Sequence, residues 1–121
     1  MITLKTLPEA SRQEVFDQVV DHLLTQNKVS QNSDGLCVYK NEEGLKCAAG
    51  CFISDEEYDG YKMEGNEWDF LAKTGLVPRM HMTLIKRMQD VHDMGLPEEW
   101  EGALKYLAQE EKLTFNRNPL K

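Results

Sequence analysis

Gly35-Leu36-Cys37-Val38-Tyr39-Lys40-Asn41-Glu42-Glu43-Gly44-Leu45-Lys46-Cys47-Ala48-Ala49-Gly50-Cys51-Phe52-Ile53 is the stretch on which the fold turns, and it holds all three cysteines of the chain. Two short candidate strands, residues 36–40 and 45–49, flank Asn41-Glu42-Glu43-Gly44. Asparagine opening and glycine closing that tetrapeptide suit a type I turn with a left-handed glycine bulge. The preferred reading is a β-hairpin. Its second arm also admits a short helix over residues 47–53, because Ala48-Ala49-Gly50 has weak strand preference.

Helical patterning surrounds this segment. Thr6-Leu7-Pro8-Glu9 has the form of a capping box and predicts a helix start. Val15, Phe16, Val19, Val20, Leu23 and Leu24 then recur at helical spacing as far as Asn27. Ser54-Asp55-Glu56-Glu57 repeats the capping pattern and predicts one helical turn followed by loop within residues 54–65. A helix over residues 66–74 would turn Trp68, Leu71 and Ala72 inward and stop at Gly75. Another, from Pro78 to about Met94, would bury Met80, Leu84, Met88 and Val91. The last, from Pro97 to about Leu113, offers Trp100, Ala103, Leu104, Leu107 and Ala108. The pattern contains no internal repeat. The expected fold class is α+β, mainly α, with four to five helices packed around one short β-hairpin. One globular domain is expected over residues 1–115, with a loose C-terminal tail over residues 116–121.

Composition narrows the function classes. At 121 residues with 40% hydrophobic and 29% charged content, the chain can bury one core without disulfides. No stretch is apolar enough to span a bilayer, and Met1-Ile2-Thr3-Leu4-Lys5 lacks the features of a secretory signal. An odd number of cysteines fits reduced thiols, so a cytoplasmic location is expected. The net charge of −7 disfavours direct nucleic-acid or anionic-membrane binding and would attract a basic protein surface.

Several constellations could carry chemistry. A thiol hydrolase or transferase would use Cys47 as nucleophile, His92 with Asp93 as the base pair, and Gln26 or Gln31 as an oxyanion donor. His81 is a second candidate base. A zinc-stabilised interaction module would need Cys37, Cys47 and Cys51 with His81 or His92, but the x9 and x3 spacings are not those of zinc knuckles. If residues 45–51 were a strand, Cys47 and Cys51 would lie roughly 13 Å apart. His81 and His92 are about 16 Å apart along a helix and cannot share an ion. Asp55-Glu56-Glu57-Tyr58-Asp59-Gly60 opens like a calcium loop, but Asn66 stands where the bidentate glutamate belongs. No metal ligand and no cofactor is therefore assigned.

The segment from Gly44 to Tyr58, then Met63-Glu64-Gly65, then Leu84 with Gln89-Asp90-Val91-His92-Asp93, resembles small uncharacterised proteins encoded by tailed bacteriophages and prophages. The matching positions are Gln26, Ser30, Gly35, Cys37, Tyr39, Lys46, Cys47, Gly50, Tyr58, Gly65, His92 and Asp93. Cys51 stands where that pattern usually has an aliphatic residue. The resemblance implies a non-enzymatic phage accessory protein that binds and modulates a host protein or defence complex. An acidic and aromatic surface of Asp55, Glu57, Tyr58, Asp59, Tyr61 and Trp68 is the candidate contact face. The oligomeric state is not legible in the sequence.

Overall fold

The computed structural model describes residues 1–116, built from five α-helices: α1 (Arg12–Gln26), α2 (Gly60–Met63), α3 (Trp68–Lys73), α4 (Met82–Met94) and α5 (Pro97–Glu111). Single 3-10 turns lie at Leu7–Glu9 and Gly50–Phe52. Of the tail expected over residues 116–121, all beyond Asn116 lies outside the described residues.

Helices α1, α4 and α5 pack against one another, and α3 lies on α4. Their facing side chains, among them Phe16, Leu23, Leu84, Ile85, Met88, Trp100 and Leu104, are fully or almost fully buried. Ion pairs lace the outside of this bundle. Arg87 on α4 reaches both Glu110 and Glu111 on α5, and Arg12 on α1 reaches Glu111 at 2.6 Å.

The helix starts differ from the sequence expectation. Thr6 makes no capping bond and Leu7–Glu9 is only a 3-10 turn. The true capping box is Ser11 with Glu14, where the Ser11 hydroxyl accepts from the Glu14 amide and the Glu14 carboxylate accepts from that of Ser11. Ser54 and Glu57 do exchange capping-type bonds, but they close a turn, and α2 starts only at Gly60, behind Asp59. Helix α4 starts at Met82 rather than Pro78, after His81 in the left-handed region at φ 65°. Met80 is consequently half exposed rather than buried.

The β-hairpin expected over residues 36–49 is not formed, and there is no strand among the described residues. Two isolated antiparallel bridges take its place, Gln31 with Cys37 and Lys40 with Lys46. Each closes a turn of the same design. Asn32 Oδ1 accepts from the Asp34 and Leu36 amides, and Asn41 Oδ1 accepts from those of Glu43 and Leu45. Gly35 and Gly44 follow at φ 82° and 86°. The pattern Asn-x-x-Gly-Leu therefore occurs twice, nine residues apart, a tandem repeat that reading the segment as one hairpin conceals.

A sheet cannot propagate from these bridges because side chains already hold the backbone groups that a neighbouring strand would need. The Tyr39 and Lys40 amides donate to the two oxygens of Glu64 at 3.0 and 3.1 Å. Gln26 clasps Lys46, taking its N–H at 3.0 Å and donating to its carbonyl at 2.9 Å. Past Cys47 the chain turns into the 3-10 segment, where Gly50 lies directly against the Tyr39 carbonyl.

A Cβ at position 50 would sit 2.1 Å from Tyr39 O. Gly50→Ala is expected to destabilise the protein by about 3 kcal/mol, whereas Gly102→Ala, in open space on α5, should stabilise it by about 0.5–1 kcal/mol. Urea unfolding of both variants checks this. A Gly50→Ala midpoint close to that of the parent would contradict the packing described.

Candidate functional site

Among the described residues, Ser30 and His92 are the buried polar ones, and they meet. Helix α1 ends at Asn27 with φ 52°, which turns the chain so that Ser30 enters the interior beside the last turn of α4. The Ser30 amide donates to His92 Nε2 at 3.0 Å. Its hydroxyl lies 2.9 Å from the Val38 carbonyl and 3.0 Å from that of Leu45, donating between them. One serine thus ties both Asn-x-x-Gly turns to α4.

This contact fixes the histidine tautomer. An amide N–H pointing at Nε2 requires a lone pair there, so the ring proton is on Nδ1. Nδ1 donates to Asp93 Oδ1 at 2.7 Å, and the ring stacks on Trp100 with centroids 5.4 Å apart. Asp93 Oδ1 also accepts from Gln89 Nε2 at 2.8 Å, and Gln89 Oε1 accepts from the Ala49 amide at 2.8 Å. Both ring nitrogens are therefore engaged, and the chain runs unbroken from Ser30 through α4 to Ala49.

The candidate nucleophile does not join this chain through His92. Cys47 is fully buried, and its sulfur accepts from the Gly50 amide at 3.3 Å. Burial pushes its thiol far above the ordinary range. Cys51 donates to the Ala48 carbonyl, and burial raises its thiol too. Neither glutamine is poised as an oxyanion donor, since Gln26 holds Lys46 and Lys28, and Gln31 is an exposed member of the first turn, its carbonyl accepting from Asn41. His81 lies 2.7 Å from the Ala10 carbonyl through Nε2, and His22 binds the Lys46 carbonyl at 2.8 Å.

The cysteine that does approach His92 and Asp93 is Cys37. One potential ligand atom from each of the three lies within 4.8 Å of the others, the one such group among the described residues. The fit to a cation is poor. A metal would have to take Nδ1, and with the Ser30 N–H facing Nε2 the ring could carry no proton at all, which demands an imidazolate. The trio suits a hydrogen-bonded cluster instead. Burial and the adjacent Asp93 push the Cys37 thiol up to about 11, so it is not an activated nucleophile.

The expected contact face divides into two classes. Asp55 is exposed and pairs with Lys40 at 2.9 Å and Lys46 at 3.5 Å. Tyr61 is 97% exposed. The others serve the fold. Glu57 accepts from the Leu4, Lys5 and Ser54 amides. Tyr58 donates to Glu64 at 2.6 Å, and Asp59 caps α2 through the Lys62 amide. Trp68 is buried edge-on to Tyr39 with centroids 6.2 Å apart.

Beside the Cys37 cluster lies an open cleft of about 350 Å³, walled by residues 36–39, residues 64–68 and the outer face of α4. Glu64 and Gln89 fall inside the motif segments, but nothing in the sequence marked them as backbone-holding side chains, and the cleft carried no signal at all. The doubled Asn-x-x-Gly-Leu was the one visible hint that this region is a pair of turns. No family model, curated protein or solved structure matches the chain. No helix among the described residues is long and apolar enough to cross a membrane.

Thiol chemistry tests this geometry. In the folded protein iodoacetamide should modify Cys37 alone, with a rate still rising above pH 10, and Cys47 and Cys51 should react only after denaturation. Asp93→Asn removes the charge that opposes the thiolate and should speed Cys37 labelling at pH 8. Faster labelling of Cys47 than of Cys37 would contradict the arrangement.

Proposed function

We propose that this chain is a non-enzymatic binding protein, of the phage and prophage accessory kind that its motif pattern resembles, which docks on a host protein or defence complex and modulates it. The observation that carries the reading is the employment of His92. Its two nitrogens hold Ser30 and Asp93, so the candidate base has no free position from which to take a proton from Cys47 or a substrate. The motif residues Gln26, Ser30, Tyr39, Lys46, Gly50 and Tyr58 are likewise engaged in supporting the turn region.

Surface, rather than a reactive centre, is then what the fold presents. The net charge of −7 together with the projecting aromatic ring of Tyr61 suits a basic protein partner. Aromatic side chains of this kind anchor interfaces, and a surplus of negative charge speeds the approach of a positively charged surface.

The test is capture followed by reconstitution. Tagged full-length protein should enrich one specific partner from bacterial host lysate, and the complex should re-form from purified components. Tyr61→Ala combined with Asp55→Ala should weaken it at least tenfold in calorimetry without changing the unfolding midpoint. Absence of a specific partner, or an affinity indifferent to the double variant, would contradict the reading.

A further inference from the structure

The link between Ser30 and α4 admits His92 in one protonation state. The ring is fully buried and stacked on Trp100, and the Ser30 N–H occupies the Nε2 lone pair from 3.0 Å. A proton on Nε2 would set one N–H against another, so an imidazolium and the Ser30 amide cannot share that position. Ser30 has more to lose than this bond. Its carbonyl accepts from the Val38 amide at 3.0 Å, and its hydroxyl serves the Val38 and Leu45 carbonyls. Other backbone groups of the segment are held by side chains that have no proton to gain, Gln26 on the Lys46 amide and Gln89 on that of Ala49.

The groups that face the ring differ in what they allow. Asp93, on the same helix, accepts from Nδ1 at 2.7 Å and would hold an imidazolium more firmly than a neutral ring. Cys37, in the turn segment, has its thiol pushed up to about 11 by burial and the adjacent Asp93, so it stays uncharged near neutrality. Trp100 on α5 brings no charge. His22 on α1 is held below the ordinary histidine range, chiefly by burial, and a charge on His92 opposes one on His22. Protonating His22 does not break its own bond, because the Lys46 carbonyl can only accept and Nε2 already donates to it.

We propose that the Ser30–His92 contact is an acid-operated latch: uptake of one proton at His92 Nε2 expels the Ser30 amide and frees the two Asn-x-x-Gly turns from the last turn of α4, while the helical bundle stays folded. The proton comes from solvent, the Ser30 hydrogen bond is what breaks, and Asp93 carries the opposing charge. The closed form binds one proton fewer than the open form. Its advantage is therefore complete above the ordinary histidine value of about 6.5 and is lost progressively as the pH falls below it. A single proton changes the balance about tenfold per pH unit in that range, and Asp93 adds to this by holding the charged ring. The latch makes the presentation of residues 27–59 depend on acidity, and it stands whether or not the chain proves to be a binding protein.

The experiment is amide exchange on the full-length ¹⁵N-labelled chain at pH 7.5 and pH 5.5, corrected for the intrinsic exchange rate, with long-range ¹H–¹⁵N spectra of the imidazole rings. At pH 7.5 the His92 ring should be the neutral Nδ1–H tautomer. Protection of the Ser30 and Val38 amides should fall about tenfold or more between the two conditions. The Lys46 and Ala49 amides, and those of Val19, Ile85 and Leu104 inside α1, α4 and α5, should change less than about threefold. Asp93→Asn keeps an acceptor for Nδ1 but loses the charge that favours the imidazolium, so it should reduce the fall at Ser30 about twofold or more. His22→Gln should leave that fall in place. Constant protection of Ser30 and Val38, or a ring protonated at pH 5.5 with the Ser30 amide still protected, would overturn the proposal. So would an equal loss at Lys46, Ala49 and the helix interiors, which is general acid unfolding, or a response that disappears in His22→Gln.

Discussion

The hydrogen bond from the Ser30 amide to His92 Nε2 joins two parts of the molecule that have little else in common. On one side is a helical bundle whose apolar faces follow the 3.6-residue period. On the other is a long segment, residues 27–59, with no α-helix and no strand. Such a segment can be buried only if its amides and carbonyls find partners, because each one left unpaired costs about 1–3 kcal/mol. Here side chains provide them. Gln26 and Ser30 reach in from the end of α1, Glu64 from the loop after α2, and Gln89 and His92 from α4. The bundle thus acts as a frame of donors and acceptors around backbone that makes no sheet of its own.

That employment explains why the residues with the greatest chemical promise are not arranged for chemistry. A catalytic histidine needs one nitrogen free toward the substrate, and His92 has neither. A nucleophilic cysteine needs access and a neighbour that favours the thiolate. Cys47 lacks the access, and Cys37, although exposed, sits beside Asp93, which opposes ionisation. The same physics governs the acidic face. Carboxylates that cap turns or clasp the N-terminal strip, such as Asp59 and Glu57, are committed to the fold. Others, including Glu67 and Asp90, are exposed and make no ion pair or hydrogen bond among the described residues.

Legibility of the sequence follows the same division. The helices were readable because apolar periodicity reports burial directly: α3 and α5 fall close to the expected places and α1 ends where expected, with Gly75 stopping α3 at φ 83°. The turn region was misread for a physical reason. Asn41 to Gly44 does form a tight turn, but whether strands grow from a turn depends on which groups compete for the flanking amides, and the competitor, Glu64, lies more than twenty residues away in a motif segment that does not say which backbone it holds. Gln26 competes for Lys46 in the same way. The site was legible only as a set of residues. Ser30, His92 and Asp93 all belong to the motif pattern, yet the pattern does not say that a backbone amide would occupy the imidazole nitrogen, or that Cys37 rather than Cys47 would be the neighbour.

Amide hydrogen exchange tests most directly whether side chains hold this backbone as a sheet otherwise would. The amides of Ser30, Tyr39, Lys40, Lys46 and Ala49 should exchange slowly, with opening free energies approaching that of global unfolding, although none lies in a helix or strand. Exchange of these five amides at the rate of the exposed turn residues Ser33 and Glu42 would contradict the account.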